Sequence, residues 1–293
     1  MTDRTGRIAL AAHASVRGTW HMSLLAPSAR MAPFVRQLNA YSERDTLFAR
    51  RRELPTGAAV LVFNLGAELR VEHPLDTQTR FVGGTAFYCG PSANYAVTET
   101  DGAQTGAQAM LTLPGARRLL GRPLGEVGDR LTDPVDLLGA APAREIIGRL
   151  MEAPTQGERL AILEQMLACR LADGSAAPRA LEWAWERLQA SAGRVRIGAL
   201  AAELGCSRKH LTVRFHHEFG MPPKLFARIL RFDRAMRLLR REPSPSWAEL
   251  AVACGYADQA HLAREVRAFT GSAPAAFLRR RLPDNGGFTD DPR

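Results

Sequence analysis

The sequence holds no apolar run approaching the roughly 18 residues that a membrane-spanning helix needs, which argues against a helical membrane protein. Its four cysteines lie far apart and form no C-x-x-C pair, so neither a disulfide framework nor a zinc site is predicted. The first residues match a secretory signal poorly, because Asp3, Arg4 and Arg7 precede a short alanine-rich stretch broken by His13. We therefore expect a reduced, cytoplasmic setting without membrane contact.

Motifs for catalysis or cofactor binding are equally scarce. The glycine pairs at 83–84 and 286–287 lack the phosphate-loop lysine and the dinucleotide fingerprint. His73 stands alone, whereas a metal centre needs a cluster of His and acidic residues at short spacing. Cys89 ends an apolar strand with no base near it in sequence, so we interpret it as a buried small hydrophobe rather than a nucleophile. No enzyme, metal or cofactor is predicted.

Lysine is rare, with only Lys209 and Lys224, yet the chain has a net charge of +9 because arginine is abundant. That charge is unevenly divided. Residues 178–283 carry 19 basic and 9 acidic side chains, whereas residues 1–177 carry 19 and 18. Abundant arginine by itself does not explain this asymmetry, which indicates a polyanionic partner at one end of the chain.

The basic region is organised around residues 197–270, which contain the same local design twice. The first copy runs from Leu200 to Gly220 and the second from Leu250 to Gly271. Matching residues lie 50 positions apart before the turn and 51 after it, because the second turn has one extra residue. The matched pairs are Leu200 with Leu250, Ala201 with Ala251, Gly205 with Gly255, Ser207 with Asp258, His210 with His261, and Leu211 with Leu262.

Each copy predicts a helix-turn-helix. A glycine ends the first helix, and Ser207 or Asp258 then follows where a side-chain oxygen can cap the next helix. The second helix has an apolar stripe on one side and polar, largely basic residues on the other. In such units the second helix lies in the DNA major groove, with its N-terminal residues against base edges. We predict recognition helices at about 207–219 and 258–270.

Two such units joined by one long helix resemble the C-terminal DNA-binding domain of the AraC/XylS family of bacterial transcription regulators. The chain departs from the family pattern at Pro222 and Ala273, where a helix-capping Ser or Thr is common, and at Val266, where a bulkier aromatic is common. The residues that carry the resemblance are Gly205, Ser207, Phe215, Gly220, Pro223, Arg231, Ala235, Leu238, Leu239, Ala251, Gly255, Tyr256, Asp258, His261, Leu262, Arg264, Gly271 and Pro274.

The resemblance also implies the residues of the site. It makes Arg231 a candidate internal residue, and His210, beside Leu211, is interpreted as structural. Arg208, Ser207 and Asp258 are expected at phosphate or as helix caps. Lys209 has a plain phosphate contact as its alternative role. The expected base-contacting residues are Lys209, Thr212, Val213, Gln259, His261 and Arg264.

The N-terminal part predicts short strands at about ten-residue spacing, at 58–65, 69–73, 79–88, 95–99 and 104–113. Residues 31–41 could form a helix or an irregular lead-in. The fold class is therefore α+β, with a small β-barrel or sandwich before helices and then an all-α domain. The family resemblance implies a cupin-like sensor at the position of the strands.

Helical spacing follows at 115–120, 143–152 and 156–171. Leu160, Leu163, Leu167 and Leu171 form a stripe that predicts either ordinary core packing or a dimer seam. We expect a sensor and dimerisation domain at 1–172, a flexible linker at 173–178, a DNA-binding domain at 179–283 and a disordered tail at 284–293.

Together these features predict a sequence-specific DNA-binding transcription regulator without enzymatic activity. Expected partners are double-stranded DNA, a second copy of the chain, RNA polymerase and a small-molecule effector of the first domain, whose binding residues are unknown. The alternatives are a non-specific architectural DNA-binding protein and an enzyme domain fused to a DNA-binding domain.

Overall fold

The protein was analysed as a computed structural model, which describes residues 7–15, 18–44, 50–74, 76–240, 245–282 and 287–290. Two antiparallel sheets make up the first half, and helices the second. In the described part of the chain the sheets stay open, so the predicted α+β class is confirmed in its sandwich form. None of the described helices is both long enough and apolar enough to cross a bilayer.

The larger sheet has seven strands in the order β1-β2-β3-β10-β5-β8-β11. One of its faces packs on helices through residues such as Leu38, Leu61 and Ala109, and the other faces the second sheet through Val62 and Phe87. The strands are β1 (Ile8–Ser15), β2 (Gly18–Leu25), β3 (Val35–Arg44), β5 (Ala59–Asn64), β8 (Thr85–Cys89), β10 (Gln104–Leu111) and β11 (Leu131–Thr132).

The smaller sheet has four strands in the order β4-β9-β6-β7. Leu69, Val71 and Val97 turn inward from it, because alternate residues of a strand face opposite sides. The strands are β4 (Arg50–Glu53), β6 (Leu69–His73), β7 (Asp76–Phe81) and β9 (Ala96–Glu99).

Three strand predictions need correction. Residues 31–41 are neither a helix nor an irregular lead-in throughout, because β3 begins at Val35. Strands β1, β2, β4 and β11 were not predicted at all. The predicted strand 79–88 is two strands separated by a turn. In that turn Gly84 has a left-handed φ of 77°, and the Cα of Gly83 packs so closely on the carbonyl oxygen of Gly66 that a side chain would not fit.

In the part of the chain that the structure describes, five helices follow the sheets in sequence or lie between their last strands. The leucine stripe of α5 is almost fully buried inside the chain, where α5 packs on β3, α4 and α1 and also contacts β2 and β10. Core packing is therefore the confirmed interpretation of the stripe, and the dimer seam is wrong. The helices are α1 (Leu113–Leu120), α2 (Leu124–Val127), α3 (Pro134–Leu138), α4 (Ala140–Glu152) and α5 (Gln156–Asp173).

The segment after α5 is held rather than free, contrary to the expected flexible linker. Arg118 donates to the carbonyl of Gly174 at 2.9 Å, and Arg117 donates to Ser175 Oγ at 2.9 Å. The described residues beyond this segment form seven helices. They are α6 (Arg179–Ala190), α7 (Ile197–Glu203), α8 (Arg208–Phe219), α9 (Pro223–Leu239), α10 (Trp247–Cys254), α11 (Gln259–Thr270) and α12 (Pro274–Arg279).

Part of the expected disordered tail is packed, which corrects that expectation for residues 287–290. Phe288 is buried and stacks on Phe277 of α12 with ring centroids 4.3 Å apart. Thr289 forms a β-bridge with Arg51, so the segment covers the free edge of β4. The rest of 284–293 lies outside the described residues.

Candidate nucleic-acid interface

The first helix-turn-helix consists of α7 and α8. Leu211, Phe215 and Phe219 are buried along one side of α8, as their four-residue spacing predicts. Ser207 accepts a hydrogen bond from the His210 N–H at 3.1 Å, and Gly220 ends the helix with a left-handed φ of 76°. These contacts fix α8 by its apolar side and leave its N-terminal turn in solvent.

The outward side of α8 is exposed at Arg208, Lys209 and Val213. Val213 is 60% exposed and so presents its apolar side chain on this face. Thr212 is half-buried, and its hydroxyl donates to the carbonyl of Arg208 at 2.8 Å. His210 is also exposed, and its interpretation as a structural residue stays a prediction. This face offers two cations and a small apolar surface to a ligand.

The second helix-turn-helix consists of α10 and α11. Its first helix begins with a complete capping box, in which Ser246 and Glu249 bond each other's backbone N–H groups. Asp258 then caps α11 by accepting from the His261 N–H at 2.6 Å. The Asp258 carboxylate lies at the positive end of the α11 dipole, which is favourable for an anion.

The first two turns of α11 are exposed at Gln259, Ala260 and Arg264, and its later part is exposed at Arg267 and Ala268. His261 is half-buried, with its ring edge-on to Tyr256 at a centroid distance of 5.2 Å. Four of the six predicted base-contacting residues are thus exposed, whereas Thr212 and His261 are half-buried.

Between the two units, α9 supplies arginines that act inside the protein. Arg231 donates to the carbonyl of Gly193 at 3.0 Å and lies over the Tyr256 ring at 5.6 Å, in the internal position that the sequence suggested. Burial raises the pKa of the Tyr256 hydroxyl. Arg231 is therefore occupied within the protein, whereas Lys224 in the first turn of α9 is exposed, as are basic side chains of α8 and α11.

Sequence reasoning missed the ion pair that joins α9 to α11. Arg228 holds both carboxylate oxygens of Glu265 at 3.0 and 3.1 Å, and Glu265 is 7% exposed. A signal was present, because Glu265 follows Leu262 by three residues and so falls on the apolar side of α11. The pair fixes the second recognition helix relative to the connecting helix.

The first half of the protein contacts the C-terminal ends of both recognition helices. At α8, Arg117 bonds Glu218 at 3.0 Å, and Gly125 of α2 lies so close that a Cβ there would be 2.8 Å from the carbonyl of His217. At α11, a Cβ on Gly271 would be 2.8 Å from the Tyr95 ring. The N-terminal turns of α8 and α11 therefore remain accessible.

Residues considered for chemistry elsewhere have structural surroundings. His73 is buried, with Nε2 at 3.2 Å from the carboxylate of Asp129. Cys89 lies half-buried at the end of β8. Within the described residues, no group of three or more His, Cys, Asp or Glu side chains could hold a metal ion.

Comparison with known proteins gives one family match. A family model described as a helix-turn-helix domain matches residues 200–280, which contain α8 to α11. No curated protein matches the chain.

Several solved structures are similar in fold. One is ToxT from Vibrio cholerae, at 11% identity and a TM-score of 0.48, covering 83% of this chain and 97% of that one. Another ToxT structure, with an unsaturated fatty acid bound, has 10% identity and a TM-score of 0.46 over 79% of this chain and 91% of that one. The C-terminal domain of AraT, a response regulator from Geobacillus stearothermophilus, has 22% identity and a TM-score of 0.34, covering 37% and 90%.

Proposed function

We propose that this protein is a transcription regulator that binds DNA sequence-specifically through residues 200–280, an AraC-type helix-turn-helix domain. The observation that carries the proposal is the shared geometry of α8 and α11. Each helix is capped at its N-terminus, buried along one side and exposed in its first turns, where the side chains suited to base edges lie.

The exposed side chains fit different bases. Arg264 can bond guanine with two N–H groups, and Gln259 can pair with adenine through its amide. Val213 offers an apolar surface to a thymine methyl group, and Lys209 can reach guanine or a phosphate. Ser207 and Asp258 act as caps, which limits the repulsion that a free Asp258 carboxylate would exert on phosphate.

A selection of bound duplexes from a random library tests the proposal. The wild-type protein should give a motif with two elements about ten base pairs apart. Arg264→Ala should relax one element, with a loss of about 1–3 kcal/mol for its preferred base. Arg279→Ala is the matched control, since it removes an exposed arginine from α12, outside both recognition helices.

The outcomes separate the alternatives. If wild-type protein selects no motif while binding all duplexes with a steep salt dependence, it is an architectural binder and the proposal is wrong. If Arg264→Ala and Arg279→Ala lower the affinity for every sequence alike, both side chains contact phosphate and base readout lies elsewhere.

Under the same proposal, residues 1–172 sense a signal and residues 179–283 bind DNA in the cytoplasm, with RNA polymerase as the downstream partner and a small molecule as the signal. The support is the contact between the first half and the ends of α8 and α11. Arg117→Ala, which frees Glu218 of α8, should change DNA affinity more than Arg118→Ala, whose partner is the carbonyl of Gly174. Equal effects would argue against control through this contact.

A further inference from the structure

The two sheets have four edges, and three of them are protected. Strand β11 has only two residues, β7 carries the exposed charge of Arg80, and β4 is covered by residues 287–290. Short, charged or covered edges prevent a sheet from pairing with other chains. Strand β1 lacks all three forms of protection in the part of the chain that the structure describes. It has eight residues, lies at the end of the larger sheet, and is exposed at Ala9, Leu10 and Ala12.

The register of β1 with β2 determines which backbone groups are outward. Ile8 pairs with Leu25, and one step beyond the strand the Ala26 N–H donates to the carbonyl of Arg7. Hydrogen-bonded and non-hydrogen-bonded pairs alternate along an antiparallel ladder. Odd-numbered residues therefore bond to β2, and residues 8, 10, 12 and 14 direct their N–H and C=O groups away from the sheet.

The sequence of β1, IALAAHAS, is suited to pairing with itself. It contains no Lys, Arg, Asp, Glu or Pro, so two copies meet without like-charge repulsion although the whole chain carries +9. In an antiparallel pair centred on residue 11, residue 8 lies opposite 14 and residue 10 opposite 12. The exposed Leu10 then faces a small Ala12, and all four outward residues pair.

We propose that β1 is the dimer interface of this protein. Strand β1 pairs antiparallel with β1 of a second copy about a two-fold axis at Ala11, which joins the seven-stranded sheets of both subunits. The pairing is isologous, so the assembly closes as a dimer. It replaces the α5 leucine stripe as the dimer surface, because that stripe is buried within one chain. The interface does not depend on DNA binding.

Sedimentation of the full chain over a concentration series, without DNA, tests the proposal. Ala12→Pro removes an outward N–H while keeping the bonds to β2, and the two-fold axis doubles the loss. We expect the dimer dissociation constant to rise by about tenfold or more. Ala12→Ser keeps both the N–H and the small volume, and should sediment as the wild type does. A monomeric wild type, or equal dimerisation of Ala12→Pro and Ala12→Ser, would overturn the proposal.

Cross-linking tests the register separately and covers the case in which Ala12→Pro fails to fold. In a background with the exposed Cys169 changed to Ser, Ala11→Cys sets two thiols opposite each other in a non-hydrogen-bonded pair. The Cα separation of such a pair, about 4.5 Å, permits a disulfide. Ala9→Cys, on the same face of the strand, lies opposite residue 13 and should cross-link much less. Equal cross-linking of the two variants, or none with Ala11→Cys, contradicts the pairing.

Discussion

Arg52→Ala should destabilise the contact between the two halves of the protein more than any other single arginine substitution in β4. Arg52 donates to the backbone carbonyl of Thr270, at the end of α11, and to Ser272 Oγ at 3.0 Å. Its Nε bonds Asp290 at 2.6 Å, and its guanidinium lies over Tyr95 at 4.6 Å. One side chain, 9% exposed, therefore joins β4, the second recognition helix and the covering segment 287–290.

The magnitude follows from these partners. A hydrogen bond to a charged group contributes about 1.5–3 kcal/mol, and breaking a buried ion pair costs about 3–5 kcal/mol. The contributions overlap, and Asp290 keeps Arg50 as a second partner at 3.2 Å, which reduces the loss. We expect the free energy of unfolding to fall by about 3 kcal/mol, against a total of about 5–15 kcal/mol for a typical domain.

Urea unfolding followed by tryptophan fluorescence measures this change. Arg52→Lys should fall between the wild type and Arg52→Ala, because lysine keeps the charge but cannot reach all partners. Arg70→Ala is the matched control on strand β6 of the same sheet, where the arginine pairs with Glu68 and Glu99 at the surface. It should cause little change, since exposed ion pairs contribute little. An Arg52→Ala midpoint equal to that of Arg70→Ala would refute the reasoning.

The remaining predictions concern packing, capping and pH. Gly271→Ala should lower the free energy of unfolding more than Gly205→Ala does. Both glycines have a positive φ, but only at Gly271 would the added Cβ meet another side chain, the Tyr95 ring at 2.8 Å. Urea unfolding should show a loss about 1–3 kcal/mol larger for Gly271→Ala. Ala273→Ser should supply the missing cap of α12 and raise the melting temperature, with a gain of about 0.5–1 kcal/mol. Leu163→Ala should cost about 2–5 kcal/mol in the same unfolding assay, because Leu163 is fully buried. Burial alone would raise the pKa of Asp290, but Arg52 and Arg50 hold it below its usual value, so the stability it contributes is present above pH of about 4 and is lost as pH falls through the lowered pKa. Asp290→Asn should flatten that acid-range loss.

The helix-turn-helix units could be predicted because their signals are local. Gly205, Ser207 and the stripe from Leu211 to Phe219 lie within one short stretch. They end one helix, cap the next and bury one side of it, and each of these roles can be predicted from the sequence. The matching pattern recurs 50 residues later with one extra residue in the turn. The structure of such a segment can be predicted because helix propensity, capping residues and apolar periodicity all agree locally.

The strands of the first 55 residues could not be predicted, because they are defined by pairing with other strands. They show no regular apolar pattern in the sequence. Half of the residues of β1 are alanine, which favours helices. In β3, Gln37 and Asn39 stand at positions where apolar residues would indicate a strand. The packed tail escaped prediction for the same reason. Asp290 meets Arg52 across 238 positions, and no spacing rule connects residues so far apart.

The position of the contacts between the halves limits how the proposed signal can act. Arg52 and Tyr95 hold the C-terminal end of α11, and α2 holds the C-terminal end of α8, whereas Lys209 and Arg264 stay exposed. The first half therefore does not cover these two proposed base-contacting residues in this conformation. Both recognition helices are instead attached at their far ends, where a small displacement changes their tilt and separation. Since DNA readout requires both helices to enter adjacent groove segments together, control through these contacts would act on the relative placement of the two helices.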